Sequence, residues 1–82
     1  MKIKVQVEGK TDVTLIEDIF QALETNKINL TTTKKLEEIS EVRNIKQQIK
    51  QEVEEILQAK IHVEELIVFK SGTYLLKGVL QR

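Results

Sequence analysis

The sequence predicts a small α+β domain in which an antiparallel sheet packs on one short and one long helix. Three observations carry that reading. The first residues alternate apolar and polar, the middle of the chain follows helical spacing, and the last third holds two apolar runs around a glycine turn. Eighty-two residues suffice for a single domain, spanning 1–82. The order along the chain reads β-α-α-β-β, with the N-terminal strand placed beside the C-terminal hairpin.

Ile3, Val5 and Val7 fall on one face of the first strand, and Lys2, Lys4, Gln6 and Glu8 on the other. That period of two is expected of a strand with one dry side and one wet side. Gly9-Lys10 breaks the pattern. Thr11 or Asp12 then offers a side-chain oxygen to the unpaired N–H groups of a helix start. Ile16, Ile19, Phe20 and Leu23 follow at i, i+3, i+4 and i+7, with Val13 on the same stripe. This spacing predicts an amphipathic helix of about three to four turns, ending near Asn26.

Residues 28–33, Ile-Asn-Leu-Thr-Thr-Thr, read as a loop or one short β segment, with a helix cap somewhere in the threonine run. Lys34 to Lys60 is rich in Glu, Lys, Gln and Leu and free of Gly and Pro, which favours helix. Unbroken, it would be about 40 Å long, more than the roughly 24–30 Å expected of so small a globule. A break near Ser40–Asn44, or a projecting end, is therefore expected. Val42, Ile45, Ile49, Val53, Ile56 and Leu57 share one arc of this helix, while Leu36 lies off it.

In the last segment, residues 66–69 and 74–76 bracket Lys70-Ser71-Gly72-Thr73. A turn with Ser71-Gly72 at its tip pairs Phe69 with Tyr74, Val68 with Leu75, Ile67 with Leu76 and Leu66 with Lys77. One face then carries Val63, Ile67, Phe69, Tyr74, Leu76 and Leu80. The other carries Leu66, Val68, Leu75 and Val79, so the hairpin is apolar on both sides. Either the helices and residues 26–33 cover both faces, or the second face meets another copy or another protein.

The long helix leads in the same direction. Arg43, Lys46 and Lys50 border its apolar arc on one side, and Glu38, Glu41 and Glu52 on the other. Opposite charges along the two margins of an apolar stripe suit helix pairing. They also suit an ordinary solvated helix. The candidate interface residues are thus Leu66, Val68, Leu75, Val79, Arg43, Lys46 and Lys50.

Thirteen basic residues balance thirteen acidic ones, and no segment forms a basic tail. Nucleic-acid binding usually needs a basic excess, so it is not the expected role; a regulator using Arg43, Lys46 and Lys50 with Lys34 and Lys35 is the alternative. The chain has no cysteine, which excludes disulfides and thiolate metal sites. No apolar run reaches the ~18 residues of a membrane span or the ~7–15 of a signal-peptide core, and a cytoplasmic location is expected.

Catalytic chemistry finds few groups to use. The single His62 stands at the expected helix-to-strand junction, where it would satisfy the last helix carbonyls. Ser40 and Ser71 are the only serines, and Ser71 reads as a turn residue. No phosphate-binding glycine loop or dinucleotide fingerprint occurs. The segment Val7-Glu8-Gly9-Lys10-Thr11-Asp12 resembles the first motif of Toprim domains, whose glutamate at the Glu8 position acts in acid–base chemistry beside Mg²⁺. That family also uses an Asp-x-Asp on a later strand. Here Asp12 and Asp18 are the only aspartates, so the metal-holding half of the pattern is missing. The reading is a non-enzymatic interaction module without a cofactor, associating with itself or with another protein and not with membranes.

Overall fold

The computed structural model describes residues 2–32 and 34–81. Strand β1 (Ile3–Lys10) leads through a 3₁₀ turn at Thr14–Ile16 into α1 (Glu17–Ala22) and strand β2 (Lys27–Asn29). Two helices follow, α2 (Lys34–Glu37) and α3 (Ser40–Leu57), then strands β3 (Lys60–Phe69) and β4 (Thr73–Gln81). The strands form one sheet in the order β1-β4-β3-β2, antiparallel throughout. The α+β class and the placement of β1 beside the hairpin agree with the sequence reading. The short β2 makes the chain order β-α-β-α-α-β-β and gives the sheet a fourth strand.

The core lies between one face of the sheet and the helices. Val42, Ile45, Ile49 and Val53 of α3 are all fully buried, at the 3-4-4 spacing of one helix face. They meet Ile61, Leu66, Val68, Tyr74 and Leu76 of the hairpin, with Ile16, Phe20, Ile28 and Leu30 completing the cluster. Each such side chain contributes on the order of 1.5–3 kcal/mol by leaving water. Ile56, which the arc of α3 places near its edge, is instead 63% exposed.

The first helix is shorter than its stripe suggests. The Asp12 carboxylate accepts the Thr14 N–H at 2.9 Å, opening a 3₁₀ turn rather than an α-helix, and that bond holds the Asp12 carboxyl below its ordinary pKa. The helix stops at Ala22, and Glu24 turns left-handed so that the Thr25 N–H reaches the Phe20 carbonyl.

The long helical segment breaks just before Ser40. Ile39 is extended, at φ −82° and ψ 120°, and separates α2 from α3. Lys46 of α3 reaches back to Glu37 of α2 at 3.5 Å across the bend. The expected cap within the threonine run involves Thr33, which lies outside the described residues. Helix α3 ends earlier than Lys60. Gln58 is left-handed, the Ala59 N–H donates to the Glu54 carbonyl, and the Glu54 carboxylate accepts the Ile61 N–H at 3.0 Å.

The hairpin register differs from the expected one by a single residue. Lys70, Ser71 and Gly72 form a three-residue loop, closed by the Gly72 N–H on the Phe69 carbonyl, with Gly72 at φ 96°. Val68 therefore faces Tyr74, Ile67 faces Leu75 and Leu66 faces Leu76. A one-residue slip moves every side chain of one strand to the opposite face relative to its partner. A bulge between Val63 and Glu65 shifts the register again, so that Ile61 and Val63 point the same way as Leu66 and Val68. Leu66 and Val68 thus share the core face with Tyr74 and Leu76, and not with Leu75 and Val79. Phe69, which the expected register groups with Tyr74 and Leu76, lies on the opposite face and is half-buried.

Candidate functional site: the open face of the sheet

Alternation along four strands builds the face that no helix covers. Across the tip of the hairpin, Lys27 of β2 faces Phe69 of β3. The next row runs Asn29, Ile67, Leu75 and Glu8 across β2, β3, β4 and β1. Below it lie Glu65, Lys77 and Gln6, and below those His62, Val79 and Lys4.

Ile67 and Leu75 form a direct cross-strand pair, with Phe69 diagonal to Leu75. Directly opposed side chains lie about 4.5–5.5 Å apart at their Cβ atoms, and diagonal neighbours about 7–8 Å, within reach of an aromatic ring. All three are half-buried, as is Val79, which Lys77 separates from them. Glu8, Lys10 and Lys27 border the trio, so the apolar centre has a charged rim of both signs. The described surface of this face bears no cavity suited to enclosing a small molecule. What it has are shallow depressions, one at the hairpin tip beside Phe69 and Leu75 and one between Lys4, Gln6, Lys77 and Glu65.

Of the expected interface residues, Leu75 and Val79 stand on this open face. Leu66 and Val68 do not, being completely buried beneath the helices. Arg43, Lys46 and Lys50 lie elsewhere, on one flank of α3. Arg43 is exposed, Lys50 is half-buried and Lys46 is engaged with Glu37. The apolar stripe they border is occupied by the protein's own sheet. Lys35 is exposed at a separate groove, and the side chain of Lys34 lies outside the described residues.

His62 belongs to β3 and is exposed on the open face opposite Val79, since the strand already begins at Lys60. It does not cap α3, whose end is closed by Ala59. Glu8, the residue of the Toprim resemblance, stands opposite Leu75 on an outer strand of a wholly antiparallel sheet. Among the described residues, no three His, Asp or Glu side chains converge on a point that could hold a metal ion.

Sequence reasoning missed one surface. Leu23, assigned to the helix stripe, is 55% exposed, and with Leu36, Ile19 and Ile39 it lines an apolar groove between α1 and α2 that continues to Ile28. Its signal was the shortness of α1, which the continuous stripe 16–23 concealed.

Comparison with known proteins finds no matching family model, no similar curated protein and no similar solved structure. Among the described residues, no helix is long and apolar enough to cross a membrane.

Proposed function

We propose that this chain is a non-enzymatic protein-interaction module that associates with a second copy through the open face of its hairpin. The observation that carries the reading is the Ile67–Leu75 pair, with Phe69 and Val79, on a sheet face without a helical cover. Apolar side chains left half in water stand to gain on association. The rim supports a second copy as the occupant. It carries Glu8 and Glu65 as well as Lys10, Lys27 and Lys77, so a two-fold stacking can set acids against bases. The formal net charge is zero, so copies approach without overall repulsion.

Light scattering behind a sizing column, from micromolar to millimolar protein, tests the reading. A dimer or larger particle that Leu75→Lys splits supports it. A monomer at every concentration overturns self-association. A cytoplasmic setting belongs to the same reading, and recovery of the native chain in a membrane or secreted fraction would count against it.

A further inference from the structure

The two edges of the sheet are finished differently. At the β2 edge, bonds from the Leu30 N–H to Leu66 and from the Lys70 N–H to Asn26 show that residues 26 and 30 face β3. By alternation, Lys27 and Asn29 direct their backbone groups outward. Threonines occupy three of these four groups. The Thr25 hydroxyl donates to the Lys27 carbonyl at 2.9 Å and accepts its N–H at 3.4 Å, and the Thr32 hydroxyl donates to the Asn29 carbonyl at 3.2 Å. This edge is short and blunted.

The β1 edge is eight residues long. The Thr11 N–H donates to the Gly72 carbonyl at 2.7 Å, one step beyond the ladder, so the odd-numbered residues face β4. Lys4, Gln6, Glu8 and Lys10 therefore present their backbone N–H and C=O groups outward. Among the described residues, none bonds to them. On the helix side of this edge, Ile3 is 40% exposed and Val5 and Val7 are only half-buried. A long edge with open backbone groups and apolar neighbours is a template for another strand.

We propose that two copies pair β1 with β1, antiparallel, about a two-fold axis through Val5, which continues two four-stranded sheets into one of eight. The sequence of β1 is complementary to its own reversal in this register. Ile3 meets Val7 of the second copy, Val5 meets Val5, Lys4 meets Gln6, and Lys2 meets Glu8. The hydrogen-bonded pairs then fall on the even residues, whose backbone groups already face outward. Moving the axis to Gln6 would keep Val5 against Val7 and set Lys4 against Glu8, but it would oppose Lys2 to Lys10 at both ends and leave Ile3 against Gly9, without an apolar partner. This contact needs none of the apolar open-face residues Ile67, Phe69, Leu75 and Val79, although Lys4, Gln6 and Glu8 direct their side chains to that face, and it leaves both open faces on one side of the joined sheet.

The chain has no cysteine, so a single introduced thiol reports one contact. Val5→Cys is placed in the Leu75→Lys background, which removes the open-face contact and keeps the two readings apart. On mild oxidation it forms a disulfide dimer, because opposed residues of a non-hydrogen-bonded pair lie about 4.5 Å apart, within disulfide reach. Gln6→Cys in the same background forms no disulfide, because in this register it faces Lys4 and not its own copy. A Val5→Cys chain that forms no disulfide, or a Gln6→Cys chain that cross-links as readily, overturns the proposal. A second measurement leaves the strand interior untouched. In the Leu75→Lys background, Lys2→Glu and Glu8→Lys each weaken the dimer alone, because each sets like charges against one another at both ends of the contact. An equal mixture restores it, since the chain that is acidic at both positions then meets the chain that is basic at both. A mixture no tighter than either variant alone rejects this register.

Discussion

The ring of Tyr74 lies over Gly9, its cross-strand partner, so closely that a Cβ on the glycine would stand 2.5 Å from the phenol oxygen and 2.6 Å from the ring carbon bearing it. Tyr74 is 2% exposed and cannot swing aside without displacing the core. The glycine that the sequence offers as a strand-ending break is thus a seat for the largest side chain of the hairpin. Gly9→Ala is expected to destabilise the fold by about 1–3 kcal/mol, the usual cost of overpacking. A urea midpoint equal to that of the parent protein would show that the ring moves freely.

Tyr74 also gives stability a pH dependence. Burial, with the negative charge of Glu52 added to it, raises the pKa of the phenol above its ordinary value of 10.0. The folded state therefore holds the phenol proton more tightly than the unfolded chain. The sign follows from that difference: the contribution is complete below pH 10.0, declines once the unfolded phenol ionises, and is gone above the folded pKa. Tyr74→Phe removes the titrating group, so the variant should lose less stability than the parent as the pH rises from about 10 to 11. Parallel urea midpoints for the two proteins across that range would refute the effect.

The two faces of the hairpin predict opposite outcomes for one substitution. Leu66 and Leu75 lie on neighbouring strands in similar apolar runs, yet Leu66 is fully buried and Leu75 half-buried. Leu66→Lys places an unpaired charge in the core and should remove most of the roughly 3–5 kcal/mol available to a domain of this size. Leu75→Lys adds a charge at a wet face and, compared at protein dilute enough for the parent to be dissociated, should leave the circular-dichroism spectrum and the melting temperature nearly unchanged. If Leu75→Lys unfolds the chain while Leu66→Lys does not, the register of β3 against β4 is wrong.

That register marks where the sequence stopped being legible. Alternation in β1 and the 3-4-4 spacing of Val42, Ile45, Ile49 and Val53 were readable because each reports burial within a single element. The hairpin was not, because its faces depend on one residue of loop length and one bulge. Ser71-Gly72 fits a two-residue turn as well as the three-residue loop that forms, and Glu64-Glu65 gives no local sign that it carries an extra residue. The apolar character of both faces survived the error, since the runs 66–69 and 74–76 are apolar at every position. Only the membership changed: Ile67 and Phe69 replace Leu66 and Val68 beside Leu75 and Val79 on the open side. Strand β2 was equally hard to read. Its three residues gain their β structure from pairing with Phe69, Val68 and Ile67 rather than from a pattern of their own.

The end of α3 offers a substitution that should stabilise the protein. Gln58 sits at φ 51° and ψ 40°, the left-handed conformation that lets the Ala59 N–H close the helix on the Glu54 carbonyl. A side chain costs about 1–2 kcal/mol there because its Cβ crowds the following carbonyl, and glycine avoids that cost. Glycine also gives the unfolded chain more freedom, which returns part of the gain. Gln58 is exposed, so no packing is lost with its side chain. Gln58→Gly should therefore raise stability by about 0.5–1 kcal/mol, read as a higher urea midpoint with an unchanged slope. The Glu54 carboxylate on the Ile61 N–H is the control, since it joins the same helix end to β3 without depending on a left-handed residue. Glu54→Ala should cost about 1–2 kcal/mol, and Gln58→Gly should recover part of that loss in the double variant. A Gln58→Gly protein less stable than its parent would mean that the left-handed turn is not what closes α3.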